Sequence, residues 1–485
     1  MRVLEGLAPE RVFYYFEEIC GIPHGSGNVE QISNYLMDFA KQKGLYAVQD
    51  ALKNVIIVKP ATSGYEEEPA VILQGHMDMV AVKKPDCPID MAVEGLRLKV
   101  NGDKIYAEGT SLGGDDGIAV AYALALLEAD HLSHPKLEVV ITVDEEVGMD
   151  GARGIDLSFL TGRRMLNLDS EEEGIFLTSC AGGARMECRL PMSVCEKEGP
   201  VCRISVEGLI GGHSGAEIHK GRGNANCLMG RILNSLASKV ALSIKSMEGG
   251  LADNAIPRQT VCEVVLEKEQ EDTFKALLLE IEGKIKKELA SKDKDFQITA
   301  VFTGEEHTIC ADVESTKQAA AFLAALPNGV QAMSADVEGL VETSLNLGMV
   351  SYVAGSKELR CTFSLRSCIE SAKQALVEKV EAVTMLASGS CDISGDYPGW
   401  AYRVHSPLRD KMVALYEEMY GEKPRLEAIH AGLECGILAA KLEDLDCISF
   451  GPNMENIHTT EETLSVSSVA RVWDYLVRLL AQKNI

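Results

Sequence analysis

Five short motifs rich in Asp, Glu and His follow apolar stretches of this chain. Carboxylates gathered in one place repel each other and lose hydration unless a counter-charge neutralises them. Divalent cations are the simplest neutralisers, and imidazole with carboxylate is the ligand set that zinc prefers. The sequence therefore predicts a hydrolase with two metal ions. The motifs are His76-Met77-Asp78, Asp115-Asp116, Asp144-Glu145-Glu146, Asn167-Leu168-Asp169 and Ile457-His458-Thr459.

The first motif places His76 and Asp78 two positions apart, just beyond an apolar stretch. In extended backbone, residues i and i+2 share a face. Asp78 can then accept a proton from the ring nitrogen of His76 that faces away from a metal, which fixes the tautomer that binds the ion. This spacing favours a metal-binding His76 oriented by Asp78.

The second motif, Asp115-Asp116, lies in a glycine-rich turn before an Ala/Leu-rich stretch. Glycine-rich turns at helix N-termini often bind phosphate, but two aspartates would repel it, and no Gly-Lys-Ser/Thr follows. A plain helix cap is the structural alternative. A carboxylate that bridges two cations about 3.5–4 Å apart fits better with the other motifs.

The adjacent residues Glu145 and Glu146 should point different ways from extended backbone, so that one can bind metal while the other faces the attacking water. A solvated acidic turn is the alternative. Asp169 ends the next apolar stretch. His458 would supply a second imidazole. His213 is expected in a loop, and a loop histidine is by itself more often structural than catalytic. Nucleophilic serine chemistry is not supported, because the chain has no Gly-x-Ser-x-Gly elbow.

The elements that would position these motifs alternate between helix and strand. This alternation predicts an α/β fold, a mixed sheet flanked by helices, in which chemistry sits at the carboxyl ends of strands. The expected helices cover residues 9–45 and 117–128, and the expected strands cover 55–58, 70–73, 137–143 and 165–168.

The middle of the chain changes character. A strand–helix–strand–strand pattern over residues 201–266 recurs over residues 296–365. We therefore expect an inserted α+β lid domain at 187–398, built from two similar units, although chance similarity is an alternative. The catalytic domain would then come from both chain ends, residues 1–186 and 399–485.

Composition excludes several functional classes. The chain has 485 residues, of which 46% are hydrophobic, so two or three domains are expected. Its net charge of −26 argues against nucleic-acid and membrane partners. There is no apolar signal region and no run of about 18 apolar residues. Fourteen cysteines without a Cys-x-x-Cys pair fit free thiols in a reducing cytoplasm.

In this order, the motifs resemble those of the dinuclear-zinc exopeptidases, a family that includes carboxypeptidase G, aminoacylase and the bacterial dipeptidases. The resemblance spans essentially the whole chain. Segments 110–117, 209–215 and 430–436 are most similar to the aminoacyl-histidine dipeptidases, which are cytosolic enzymes that cleave Xaa-His dipeptides, some of them β-alanyl-histidine.

The resemblance implies a role for each acidic or histidine motif. His76 and Asp169 would hold one metal ion. Glu146 and His458 would hold the other, and Asp115 would bridge the two. Glu145 would be the general base, and Asp78 would orient His76. In relatives the peptide bond after the bridging aspartate is often cis, and we expect the same at Asp115–Asp116.

The resemblance also implies substrate contacts from the inserted domain. His213 would stabilise the oxyanion, and Asn254 would bind the substrate. Arg366 would bind the substrate's C-terminal carboxylate, since a forked guanidinium matches that group. The backbone of Gly432 would contribute a further contact.

Two departures from the family pattern stand out. Asp116 occupies a position where relatives usually have Asn, which adds a negative charge beside the bridge. His458 is followed by Thr459-Thr460-Glu461 rather than the commoner Ser-Pro-x-Glu. Neither departure removes a ligand.

The implied activity is the hydrolysis of dipeptides, Xaa-His and β-Ala-His among them. A deacylase of N-acyl amino acids or a tripeptide aminopeptidase could use the same centre. A non-catalytic binding protein would lack a ligand or the base, and every position is filled. The expected cofactors are two divalent metal ions, zinc before cobalt or manganese. The expected partner is a small peptide, with a homodimer allowed, and the expected location is the cytoplasm.

Overall fold

The computed structural model describes residues 2–483, which divide into two units. The first unit contains the chain up to Ser179, Tyr402–Ala428 and the chain from Leu433 onward. The second contains Cys180–Ala401 and the short segment Ile429–Gly432. The first unit thus draws on both ends of the chain, and the expected insertion at 187–398 lies inside the second.

Helices and strands alternate along most of the chain. The first part of the first unit contains α1 Glu10–Cys20, α2 Glu30–Gln42, β1 Tyr46–Gln49, β2 Val55–Lys59, β3 Val71–His76, β4 Leu98–Asn101, β5 Lys104–Ala107, α3 Gly114–Glu128, β6 Leu137–Thr142, α4 Asp150–Gly154, β7 Arg164–Asn167 and β8 Ile175–Cys180. The inserted chain contains β9 Gly182–Pro191, β10 Val194–Glu207, β11 Gly212–His213, α5 Ala225–Ala237, β12 Leu242–Gly249, β13 Ala255–Ile256, β14 Thr260–Leu266, α6 Glu271–Leu289, β15 Gln297–Ala311, α7 Val313–Ala325, β16 Gly329–Met333, β17 Val341–Val353, β18 Glu358–Ser367, α8 Glu370–Leu386 and β19 Ser390–Tyr397. The last part contains α9 Pro407–Tyr420, β20 Arg425–Ile429, α10 Glu434–Lys441, β21 Asp446–Ser449, β22 Met454–Glu455, β23 Thr463–Ser465 and α11 Val466–Leu480.

The first unit is built on an eight-stranded mixed sheet in the order β1-β2-β6-β3-β7-β21-β8-β20. Strands β6, β3, β7 and β21 run parallel, whereas β2 is antiparallel to β1 and β6, and β8 is antiparallel to β21. Every residue of β3 and β6 is buried, as expected for strands covered on both faces. The predicted α/β class with a mixed sheet is confirmed.

The N-terminal helix differs from expectation. A single helix was expected over residues 9–45, but α1 ends at Cys20 and α2 begins at Glu30. Between them lies Pro23, which has no backbone N–H and disfavours helical backbone in the residue before it. The break carries Ser26 to the carboxylate of Asp78, which accepts its hydroxyl proton at 2.8 Å.

The second unit contains an antiparallel sheet in the order β15-β10-β14-β12-β17-β18-β9-β19, with β16 paired to β17. The sheet consists of two halves of four strands, β15-β10-β14-β12 and β19-β9-β18-β17, each read from the edge of the sheet inward. In both halves the edge strand is the last of the four in sequence. The first, the third and the second of the four in sequence then follow. The half formed by β10, β12, β14 and β15 is therefore inserted in sequence between β9 and β17 of the other half. The strand at 296–302, expected to open the second repeat, lies in β15 and closes the first half.

The helices of the second unit cover its sheet. Side chains from α5, α6, α7 and α8 join strand residues in one hydrophobic core. Among residues 2–483, no helix combines the length and apolar character that a membrane span requires.

Candidate metal centre

The acidic motifs of the first unit meet at one edge of its sheet. His76 is the last residue of β3, Asp169 lies two residues beyond β7, and Glu145 follows β6. These three strands are parallel neighbours, so their carboxyl ends share an edge. Asp115 lies in the first turn of α3, and His458 lies in the loop between β22 and β23.

Asp115 lies between two imidazoles. Its Oδ1 is 3.1 Å from His76 Nε2, and its Oδ2 is 3.1 Å from His458 Nε2. Asp169 Oδ1 is 3.6 Å from His76 Nε2, and Glu146 Oε1 is 2.9 Å from His458 Nε2. The two oxygens of one carboxylate thus face two separate ligand groups, which is the arrangement that a bridge between two cations needs.

Among residues 2–483, three sets of side chains offer ligand atoms that, within each set, all lie within 4.8 Å of one another. Each set combines imidazole with carboxylate, the donor chemistry that suits zinc and neighbouring transition metals. The sets are His76 with Asp116 and Asp169, His76 with Glu145 and Glu146, and Asp115 with Glu146 and His458.

The ring of His76 is held from its far side. Its Nδ1 donates to the backbone carbonyl of Asp78 at 2.9 Å, and the Asp78 carboxylate lies slightly farther away, at 3.4 Å. That carboxylate also accepts the backbone N–H of Glu145 at 3.1 Å. Although burial alone would raise the pKa of Asp78, hydrogen bonds from His76 and Ser26 lower it. Asp78 therefore stays ionised, and Nε2 of His76 faces the carboxylate cluster.

Asp116 is fully buried beside Asp115. One of its oxygens accepts the backbone N–H of His76 at 3.1 Å, and the other has no hydrogen-bond partner. Burial, followed by repulsion from Asp169, raises the pKa of Asp116 well above its ordinary value. This shift favours a neutral carboxyl at Asp116. The Asp115–Asp116 peptide bond is cis, which confirms that expectation.

The sequence predicted extended backbone at Glu145 and Glu146. This prediction is wrong, because both residues lie in a turn. Asp144 has a positive φ of 55°, and its carbonyl accepts the backbone N–H of Met149 at 2.9 Å. Burial raises the pKa of Glu145 well above its ordinary value, and the charge of Asp169 raises it further. A carboxylate with a raised pKa is suited to accept a proton near neutral pH.

Sequence reasoning missed Glu462, which holds the loop that leads to Asp115. Its carboxylate accepts the backbone N–H groups of Leu112, Gly113 and Gly114 at 2.7, 3.0 and 2.8 Å. The Ser-Pro-x-Glu pattern of relatives places a glutamate four residues after the histidine, where Glu462 stands. That spacing was the available signal.

Glu434 was missed as well. Its carboxyl group lies under the sheet edge, where it accepts hydrogen bonds from Gln74 Nε2 at 2.6 Å and Thr142 Oγ1 at 2.5 Å. Its second oxygen is buried without a hydrogen-bond partner. Burial raises the pKa of Glu434 to about 8. No spacing rule ties a residue of α10 to β3 and β6, so the sequence carried no signal for this contact.

In the second unit, His213 lies on the small β11–β13 ladder, where it pairs with Ala255, and Asn254 immediately precedes β13. The backbone N–H of Ala216 donates to Nδ1 of His213 at 3.1 Å. The ring proton of a neutral His213 is therefore on Nε2, which can donate a hydrogen bond. The backbone carbonyl of Asn254 accepts the N–H of Ser214 at 2.8 Å.

Arg366, on β18, is only 9% exposed. Its Nε is buried without a hydrogen-bond partner, and its Nη1 is 3.5 Å from the Tyr397 hydroxyl. A Cβ on Gly432 would lie 2.8 Å from the ring of Tyr397, so Gly432 lets the 429–432 segment approach that ring. His430, in the same segment, bonds to Ser344 at 2.7 Å. Burial, followed by the Arg366 charge, lowers the pKa of His430 to about 4.

Comparison with known proteins identifies the family of this chain. Residues 72–482 match Peptidase family M20/M25/M40. The chain belongs to this family. It is accordingly a peptide-bond hydrolase, and the resemblance noted from its motifs is confirmed.

Two full-length relatives share about a third of the sequence. The cytosol non-specific dipeptidase of Escherichia coli is 35% identical over 99% of both chains. The crystal structure of aminoacylhistidine dipeptidase from Vibrio alginolyticus is 36% identical, with a TM-score of 0.93 over 98% of this chain and 97% of that one. An aminopeptidase from Bacillus cereus shares the fold, with a TM-score of 0.56 over 98% of both chains at 16% identity.

Proposed function

We propose that this M20 peptidase is a cytoplasmic dipeptidase that uses two divalent metal ions, zinc foremost, and accepts Xaa-His dipeptides, β-Ala-His among them. The names of the Vibrio and Escherichia relatives support this reading in different ways. One is an aminoacylhistidine dipeptidase and the other a non-specific dipeptidase. The relevant substrate class is therefore dipeptides, with histidine tolerated at the second position.

The observation that carries the proposal is the position of Asp115 between His76 and His458. His76 and Asp169 would hold one ion, Glu146 and His458 the other, with Asp115 between them. Two ions held there would supply Lewis acidity, which polarises a carbonyl and lowers the pKa of water. In support, the four contacts His76–Asp115, His76–Asp169, His458–Asp115 and His458–Glu146 are all 3.6 Å or shorter.

Glu145 would act as general base. Its raised pKa favours proton uptake from the attacking water, and the same carboxyl can pass that proton to the leaving amine. Asp78 would keep His76 in the tautomer that leaves Nε2 available, through the contacts to Nδ1. His213 would donate its Nε2 proton to the oxyanion.

Arg366 supports a substrate with a free C-terminus. A buried guanidinium whose Nε has no partner is costly unless an anion pairs with it. A carboxylate accepts both arms of the guanidinium fork, and the Tyr397 hydroxyl lies beside it. Asn254 and the backbone of Gly432 would complete the contacts to the peptide.

The test is a substrate panel with the protein stripped of metal and reconstituted with Zn²⁺, Mn²⁺ or Co²⁺. We expect β-Ala-His and Ala-His to be cleaved and the C-terminally amidated Ala-His to lose about tenfold or more in kcat/KM, because it lacks the anion for Arg366. Metal analysis should find two ions per chain. Preferred cleavage of N-acetyl-His would instead indicate a deacylase, and preferred cleavage of Ala-His-Gly a tripeptide aminopeptidase.

A further inference from the structure

Two cysteines face each other at one edge of the sheet in the second unit. Cys391, on the edge strand β19, is paired in register with Cys188 on β9. Their sulfur atoms are 3.2 Å apart, and both thiols are free. Directly opposed residues on antiparallel strands have Cβ atoms about 4.5–5.5 Å apart. A disulfide needs a Cβ separation of about 3.5–4.5 Å and an S–S bond of about 2.05 Å. Closure therefore requires the sulfurs to approach by roughly 1 Å.

The two thiols differ in access. Cys188 is completely buried, whereas Cys391 is partly exposed. The hydrogen bond from the Cys188 thiol lowers the pKa of Cys391 to about 7. The thiolate is the reactive form of cysteine, so the more accessible sulfur of the pair is also the better nucleophile.

We propose that Cys188 and Cys391 form an oxidisable pair that closes to a disulfide when the protein meets hydrogen peroxide. The Cys391 thiolate attacks one oxygen, the O–O bond breaks, and uptake of one proton releases water and leaves a sulfenic acid. The Cys188 thiol then attacks that sulfur, forms the S–S bond and releases a second water. Two thiols and one peroxide give one disulfide and two waters.

The bond would link the beginning and the end of the inserted chain. Strand β9 is the first strand after the chain enters the second unit, and β19 is the last before it leaves. A covalent link from residue 188 to residue 391 closes a long loop, which restricts the unfolded chain. Oxidation should therefore raise the thermal unfolding midpoint of the second unit.

A second pair in the same unit provides a matched comparison. Cys195 and Cys310 are also in register across neighbouring antiparallel strands, again with one partly exposed and one buried. There, the Cys310 thiol contacts the Cys195 side chain and also the backbone carbonyl of Cys195, at 3.9 Å, and burial raises the pKa of Cys310 to about 11. The proposal predicts that peroxide couples the first pair before the second.

The experiment treats the full-length protein with a small excess of hydrogen peroxide, blocks remaining thiols, and maps disulfides by mass spectrometry after non-reducing digestion. Of fourteen thiols, two should be lost, and a Cys188–Cys391 cross-linked peptide should appear. Cys195→Ser should still form this cross-link, and its unfolding midpoint should still rise on oxidation. Cys391→Ser should show neither effect.

In a Cys188→Ser variant, the sulfenic acid at Cys391 should persist and react with dimedone, which tests the first step even though the disulfide cannot form. The proposal is overturned if wild-type protein keeps all fourteen thiols under peroxide, or if the first cross-link to form joins Cys195 to Cys310. The proposal is also overturned if dimedone labels other cysteines of the Cys188→Ser variant but not Cys391.

Discussion

Glu462 offers a sharp test of how the centre is positioned. Its carboxylate accepts three backbone N–H groups at 3.0 Å or less in the loop that leads to Asp115. In Glu462→Gln, the amide oxygen can replace Oε2 and keep the bonds to Leu112 and Gly113, while the NH₂ group turns towards the N–H of Gly114. The N–H groups of Gly114 and Asp115, which Oε1 accepts at 2.8 and 3.4 Å, then lose their acceptor, and an unpaired buried donor costs about 1–3 kcal/mol.

The net loss of folding free energy should lie at the low end of that range. Burial raises the pKa of Glu462 in spite of its backbone hydrogen bonds, so removing the charge offsets part of the loss. The larger effect should fall on the centre itself. Residues that position metal ligands typically contribute about 10–100-fold to metal affinity or activity.

The assay is competition with a metal chelator, together with kcat/KM on a dipeptide. Glu461→Gln is the matched control, because Glu461 is the adjacent glutamate and forms an exposed ion pair with Lys84 at 2.6 Å. We expect the control to match wild type in metal affinity. If Glu462→Gln binds metal within twofold of wild type, the positioning argument is wrong.

The same centre supports three further predictions. Glu145→Gln should retain metal but lose about 10²–10⁴-fold in kcat, because an amide cannot accept the water's proton. Near-normal turnover by the metal-loaded variant would exclude Glu145 as the general base. Gly75→Ala would place its Cβ 2.4 Å from Asp116 Oδ2. It should cost about 1–3 kcal/mol in chemical denaturation, whereas Gly283→Ala, exposed in α6 with open space around it, should stabilise by about 0.5–1 kcal/mol. Burial raises the folded-state pKa of Glu434 to about 8, so its contribution to stability is complete below the unfolded pKa of about 4.5 and is lost as pH rises through 8. Metal-free Glu434→Gln should lack that decline in the unfolding free energy, and a wild-type pH profile that coincides with the variant's would contradict it.

Much of the first unit was predictable from local patterns. Apolar runs of strand length ended in acidic residues, and parallel strands bring such ends to one edge, so His76, Asp169 and Glu145 converge as the pattern indicates. Contacts made through backbone N–H groups were not predictable in the same way. Every non-proline residue has such a group, so nothing in the types of residues 112–114 indicates that a glutamate from the far end of the chain binds there.

Strand pairing in the second unit shows the same limit. The periodicity of residues 296–302 correctly indicated a strand, since β15 covers most of that segment. Which neighbour a strand pairs with depends on side chains distant in sequence. The local order strand–helix–strand–strand therefore suggested that β15 opens a repeat, whereas β9, more than a hundred residues earlier in the chain, has that position in the sheet.

The place of β21 in the first sheet has a consequence for the newly made chain. This strand, residues 446–449, lies between β7 and β8, which are made much earlier. Until it emerges from the ribosome, the sheet has a gap beside the strand that leads to Asp169, and both His458 and Glu462 follow it in sequence. Domains generally fold as units during synthesis, but this one must wait for β21 and the residues that follow it. The nascent chain therefore has no complete centre until the segment from β21 to Glu462 has been made, and we expect hydrolytic activity to begin only after that segment has emerged.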